Sequence, residues 1–175
     1  MQASSLLAAA KSACAVQARE FSVIPILHCL TLIARADGLA VEYRGVDFMA
    51  RAEAAGSGEG CIVVPARALL AFLGAVTSDE VKIAKAKDDP RAVFSAGTQS
   101  IAIGCLSAAD TPTKKAPGEP IRRLVLGEGV LASLLDMTLP FVSSEETRYY
   151  LNGVAMNVEG NVLTAVATDG HRLGK

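Results

Sequence analysis

The chain has 175 residues, long enough for one full domain and part of another or for one large domain, and at 51% hydrophobic it can bury an ordinary core. Its apolar runs, such as 23–27 with Pro25 inside, fall far short of the roughly 20 residues of a spanning helix, and residues 1–16 are Ala-rich with no basic start, so neither a membrane span nor an export signal is expected. Seventeen basic against 18 acidic residues leave a formal net charge of −1, so any contact with nucleic acid has to come from a local arrangement of charge.

The first predicted element is a helix over 4–17, with Leu6, Leu7, Ala10, Cys14 and Gln17 on or beside one face. Strands are expected at 30–35, 39–43 and 50–54, the first two joined at Asp37-Gly38, a pair suited to a tight turn. Gly56-Ser-Gly-Glu-Gly60 lacks the lysine and the strand-to-helix setting of a phosphate loop and reads as a connection. A short strand at 61–64 leads into a second helix over 65–76, with proline in its first turn and a stripe of Leu69, Leu70, Leu73 and Val76.

Strands at 80–84, 92–95 and 100–103 follow, separated by Asp88-Asp89-Pro90 and Gly97-Thr98. Lys82, Lys85 and Lys87 read as a solvated edge-strand device against aggregation. The Pro, Thr, Lys and Ala of 111–120 read as a linker between a domain at 1–110 and a half-domain at 121–175. In the half-domain a strand at 122–126, a helix over 129–137 carrying Val130, Leu131, Leu134 and Leu135, and strands at 149–158 and 162–168 are expected.

Leucine pairs begin at Leu6, Leu69 and Leu134, so one β-α-β-β-β unit recurs after 63 and 65 residues. Such a unit has helix on one side of an antiparallel sheet and buries its apolar faces by pairing with another unit, which predicts an α+β fold in two layers. Units one and two pair with each other. The third lacks a partner within 1–175 and exposes an open sheet edge and an apolar helix face, which predicts association with another chain or a missing continuation.

The cysteines, Cys14, Cys29, Cys61 and Cys105, form no CxxC pair, and neither histidine completes a zinc site, so reduced thiols and no metal are expected. His28 reads as a structural histidine. His171 lies beside Asp169, but no serine or cysteine nucleophile motif accompanies the pair, and no catalytic residue or cofactor is expected.

The most specific segments are Glu145-Glu-Thr-Arg-Tyr-Tyr-Leu-Asn-Gly153 and Ala165-Val-Ala-Thr-Asp-Gly-His-Arg-Leu173. Together with Ile24-Pro-Ile-Leu27, Val64-Pro-Ala-Arg67 and Ser107-Ala-Ala-Asp110 they resemble the bacterial DNA sliding clamp family, the DNA polymerase III beta subunit, from about Leu6 to Lys175. The resemblance implies a DNA-clamp (processivity) fold, a ring around duplex DNA with helices lining the hole, and a non-catalytic, cytoplasmic role in DNA replication. It implies non-sequence-specific phosphate contacts at Lys11, Arg19, Arg67, Tyr149 and Tyr150, although one tyrosine of an adjacent pair on a strand faces inward. It also implies a cleft wall of Arg148, Leu151, Thr168, Gly170, His171, Arg172 and Leu173, docking clamp-binding peptides of DNA polymerase III and clamp-loader subunits. Gly170 and Asp169 read on their own as turn residues.

The sequence departs from the family in ways that matter to this reading. The chain enters its first helix almost at once, where the family has a short strand, and Arg19 stands about two positions from the family's basic residue. The helices carry few cations: Lys11, Arg67 and none in the third, which has Glu128 and Asp136 instead. A family ring has twelve half-units and this chain three, so four self-associated copies would match. The alternative is a truncated, clamp-derived protein-interaction module that does not encircle DNA. A small α+β enzyme, the third reading, has no catalytic constellation to support it.

Overall fold

The computed structural model describes residues 1–16, 23–46, 48–87, 89–113, 119 and 123–175. Their elements, in order, are α1 (Ala3–Cys14), β1 (Cys29–Arg35), β2 (Gly38–Arg44), β3 (Met49–Ala54), β4 (Gly60–Pro65), α2 (Ala66–Ala75), β5 (Lys82–Ala84), β6 (Arg91–Ala96), β7 (Gln99–Gly104), α3 (Val130–Thr138), β8 (Ala155–Glu159), β9 (Val162–Thr168) and β10 (Leu173–Gly174). The chain divides into two compact units, Met1–Ala116 and Pro117–Lys175.

In the first unit β3-β2-β1-β4 form one antiparallel sheet and β5-β6-β7 another. The β1–β2 turn is Ala36–Asp37, because Arg35 pairs with Gly38. Leu30 and Leu32 of β1 and Leu39, Val41 and Tyr43 of β2 alternate onto the inner face, where all are buried. Over them α1 lays Leu6, Ala9, Ala10 and Ala13, and α2 lays Leu69, Phe72 and Leu73; the two helices pack side by side. The small alanines of α1 let that helix lie close to its neighbours, while the Phe72 and Phe94 rings meet edge to face, 6.3 Å between centroids.

The halves of this unit exchange their leading segments. β4, which runs into α2, pairs along its length with β1, from Cys29↔Pro65 to Ala34↔Gly60. Gln2, ahead of α1, bridges Glu80 at the entrance to β5, and the Met1 ammonium donates to the Val81 carbonyl at 3.0 Å. The residues before α1 thus do make one strand-like pairing, to the second sheet. A further bridge, Val63↔Leu106, ties β4 to the residues after β7.

On the outer face of β2 the Glu42 carboxylate is 4% exposed. A charge buried this far needs partners, and it has two: Arg44 at 2.7 Å, and Arg51, its direct opposite on β3, at 3.2 Å. All four cysteine thiols are free, and burial pushes each of them up from its ordinary pKa.

The second unit has the antiparallel sheet β10-β9-β8, with α3 against β9. One expected strand is shortened in it, and another is not formed by its described residues. Residues 149–151 belong to a 3-10 helix, Glu146–Leu151, and β8 starts only at Ala155. The described residues of 122–126, which are 123–126, form no ladder. A run of strand-forming residues becomes a strand only where a neighbouring strand takes its N–H and C=O groups. The stripe expected on α3 is only partly covered, with Leu134 and Leu135 half-buried and Val130 and Leu131 over 40% exposed.

Candidate partner-binding site

β9 ends at Thr168, and the chain returns as β10 through Asp169–Arg172, with Leu173 opposite Thr168 and Gly174 opposite Ala167. So short a return leaves backbone donors unpaired, and the Asp169 side chain takes them up. Its Oδ1 accepts from the His171 N–H at 2.9 Å and the Arg172 N–H at 2.8 Å, while Oδ2 accepts from the Arg172 guanidinium at 3.1 and 2.9 Å. Thr168 closes the loop from the other side: its hydroxyl donates to the Arg172 carbonyl at 2.6 Å and accepts from the Gly170 N–H at 3.0 Å. The two backbone donors, of Arg172 and then His171, and after them the guanidinium hold the Asp169 carboxyl far below the usual carboxylate range.

Two other segments reach this turn. Phe141 lies under it: the Arg172 guanidinium sits 5.8 Å from the centre of the ring, and a Cβ at Gly174 would run into the ring edge. The 143–152 loop brings Arg148. It is closed by the Ser143 N–H donating to Leu151 O at 3.1 Å and the Asn152 amide donating to Glu145 O at 3.1 Å. Arg148 has a non-helical backbone there (φ −112°, ψ 48°), and its guanidinium pairs with Glu145 at 3.2 Å. Its Nη1 lies where it would be 2.9 Å from a Cβ on Gly170, whose φ is +91°. The backbone thus favours glycine at 170, and any side chain there would push the Arg148 guanidinium aside.

Of the cleft residues read from the sequence, Arg148, Thr168, Gly170 and Arg172 come together around one turn. The His171 ring and the Leu173 side chain are exposed at its rim, Leu173 at 61%, and Leu151 is half-buried at the end of the 3-10 helix. Phe141 and Glu145 were not anticipated. The only sequence signal for Phe141 is Gly174, whose missing side chain makes room for the ring. Both Tyr149 and Tyr150 are exposed, at 79% and 72%, and stack edge to face 5.8 Å apart. The expectation that one faces inward fails because the pair lies on a 3-10 helix, where neighbouring side chains do not alternate between faces. Lys11 and Arg67 are exposed on the adjacent helices α1 and α2, and Arg19 lies outside the described residues.

Residues 126–175 match the family described as DNA polymerase III beta subunit, central domain. The beta sliding clamp of Caulobacter vibrioides is 35% identical over 159 residues, which are 87% of this chain and 42% of that protein. The crystal structure of the DNA polymerase III subunit beta from Pseudomonas aeruginosa superposes with a TM-score of 0.89 at 26% identity, over 99% of this chain and 47% of that one. The crystal structure of the C. crescentus beta sliding clamp with polyethylene glycol bound gives 0.86 at 34% identity, again over 99% and 47%. The chain spans less than half the length of these relatives. With its repeated α+β units, and with the two signature segments meeting at Arg148 and Gly170, it is a homologue of the beta sliding clamp, a family of non-catalytic processivity factors, and corresponds to the N-terminal and central domains.

Proposed function

We propose that the chain acts as a DNA sliding clamp-like processivity factor, tethering a replicative polymerase to duplex DNA in the cytoplasm and docking partner peptides on the rim formed by Arg148, Leu151 and the Thr168–Leu173 turn. Residues 1–110 serve as one clamp domain, 111–120 as the connection and 121–175 as the first half of the next. DNA polymerase III and clamp-loader subunits are the partners, through short clamp-binding peptides. Lys11, Arg19, Arg67, Tyr149 and Tyr150 face DNA, contacting phosphate without reading sequence, and four copies supply the twelve half-units of a ring.

The observation that carries the peptide reading is the construction of the turn. Asp169, Thr168 and Phe141 fix Arg172, and Gly170 admits Arg148, so a rigid polar rim stands beside the exposed Leu173. A shallow apolar surface framed by preset donors suits a short peptide with apolar side chains. The test is fluorescence anisotropy with a labelled clamp-binding peptide. Leu173→Ala is expected to weaken binding by roughly ten-fold, the scale of one buried apolar contact, and unchanged affinity removes Leu173 from the site.

The low charge of the helices favours the second reading, an interaction module that does not encircle DNA. Lys11 and Arg67 are the described cations of α1 and α2, and α3 has none. Few neutralised phosphates mean weak, salt-sensitive binding. Retention on circular DNA that is lost when the circle is cut supports encirclement; equal retention on both forms supports the module.

A further inference from the structure

A side-chain carboxamide followed by glycine is open to attack by the next backbone nitrogen, because glycine has no side chain to hinder the approach and few limits on its backbone. The chain has three asparagines, and only Asn152 precedes glycine; Asn157 and Asn161 precede Val158 and Val162, whose branched side chains crowd the nitrogen. Asn152 and Gly153 are both exposed, no described residue accepts a hydrogen bond from the Gly153 N–H, and a Cβ on Gly153 would meet nothing within 4 Å. The Asn152 side chain is also a clasp. Its amide donates to Glu145 O at 3.1 Å, one of the two bonds that close the 143–152 loop and present Arg148 to Gly170.

Asp169-Gly170, which meets Arg148 at the rim, has the same sequence of side-chain carbonyl and glycine but is tied at both reacting ends. The Gly170 N–H donates to the Thr168 hydroxyl at 3.0 Å, and the Asp169 oxygens accept from the His171 and Arg172 N–H groups and from the Arg172 guanidinium. Those bonds keep the Asp169 carboxyl ionised, and a carboxylate is a poor electrophile. One rim thus holds a shielded dipeptide and an open one.

We propose that Asn152 is a site of spontaneous modification, deamidating to aspartate or isoaspartate, and that the change unclasps the 143–152 loop and frees Arg148 from the rim. The lone pair of the Gly153 nitrogen adds to Asn152 Cγ, that nitrogen gives its proton to water, and Nδ2 leaves as ammonia, closing a five-membered imide. Water then adds to either imide carbonyl and breaks its bond to nitrogen, so one water is consumed for each ammonia released. At φ −85° and ψ 30° the Gly153 nitrogen points away from the Asn152 side chain, so the loop opens before the ring closes. One side-chain hydrogen bond on an exposed loop resists that opening weakly. Neither product has an N–H to give to Glu145 O, and isoaspartate also lengthens the backbone by a methylene.

The test is to hold the 175-residue chain for weeks in mildly alkaline buffer and follow it by mass spectrometry with fragmentation. Asn152 is expected to show the mass change of NH2 replaced by OH, while Asn157 and Asn161 keep their amides and Asp169 stays unisomerised. Gly153→Ala fits the open space at a position without positive φ, so the fold is kept, and it is expected to slow the change roughly ten-fold by hindering the nitrogen. Asn152→Asp reproduces one product, and the Arg148 Nε proton in it is expected to exchange with water roughly five-fold faster, the scale of one lost hydrogen bond. Three results overturn the proposal: an Asn152 that stays intact, a rate indifferent to Gly153→Ala, or Arg148 exchange that is the same in fresh chain, aged chain and Asn152→Asp. The aged, unsubstituted chain carries both readouts, so the test holds even if a variant misfolds. Neither readout involves DNA or peptide, so the result stands apart from the functions proposed above.

Discussion

Leu6, Leu69 and Leu134 hold equivalent places in the three units, but only the first two are sealed, at 0% exposure, while Leu134 is half-buried. Truncating a sealed leucine removes its transfer free energy and leaves a cavity, so Leu69→Ala is expected to cost about 3–5 kcal/mol, and Leu6→Ala a similar amount. Leu134→Ala removes a side chain that already faces water on one side and leaves a depression that solvent fills, so about 1 kcal/mol is expected. In urea unfolding followed by far-UV circular dichroism, with a slope of about 2 kcal/mol/M, this separates a midpoint shift of roughly 1.5–2.5 M from one of about 0.5 M. The measurements are made on dilute protein. Equal losses for Leu69→Ala and Leu134→Ala at dilution would refute the reasoning, since they would mean that α3 is covered as completely as α2 within one copy.

Gly170→Ala places a Cβ at a backbone of φ +91° and 2.9 Å from Arg148 Nη1. It is expected to destabilise the second unit by about 1–2 kcal/mol and to displace Arg148, seen as chemical-shift changes at both residues. Asp169 is expected to stay ionised through the range near pH 4 in which ordinary aspartates protonate. Its folded pKa is depressed, so its contribution to stability is complete above the unfolded value of about 3.9 and is lost as pH falls through the lower folded value. Carboxyl carbon resonances followed through acid check this, and a midpoint for Asp169 near 3.9 would contradict the hydrogen bonds seen at its two oxygens. Asp169→Asn keeps an acceptor for the backbone donors but not the charge, so the turn should persist while Arg172 loosens from Phe141, readable as faster exchange of its Nε proton.

Most of the framework is legible in the sequence because its signals are local. Paired leucines recurring after 63 and 65 residues mark the helices, and the strands at 30–35, 39–43, 92–95, 100–103 and 162–168 end within one or two residues of the observed ones. The misreadings fall where the decisive partner is distant. Tyr149-Tyr150-Leu151 has the composition of a strand, yet the Asn152 amide bond to Glu145 O and the Ser143 to Leu151 bond curl it into a 3-10 helix. Residues 122–126 end in the apolar run Leu124-Val125-Leu126 that suits a strand, and nothing local reveals that the described residues 123–126 find no ladder. At the site, Asp169-Gly170 announces a turn by itself, whereas Phe141, which meets the turn at Arg172 and over Gly174, becomes visible only once β10 is laid against β9.

The exchange of leading strands also explains why the two units differ in how firmly they are held. In Met1–Ala116 neither half keeps its sheet without the other, so opening one exposes both, and Leu6, Leu30, Leu32, Tyr43, Leu69 and Phe94 are lost from a common core. In Pro117–Lys175 the described residues buried below the surface are small or polar: Thr138, whose hydroxyl donates back to Leu134 O at 2.7 Å, with Ser143, Ala165 and Ala167. At roughly 25 cal/mol per Å² such side chains return little apolar stabilisation. The turn from Thr168 to Leu173 is thus internally rigid but mounted on a lightly packed body. Any partner that binds only the folded unit raises its stability by RT ln(1 + [L]/Kd), so a peptide on the rim firms the packing of α3 against β9 without touching that helix.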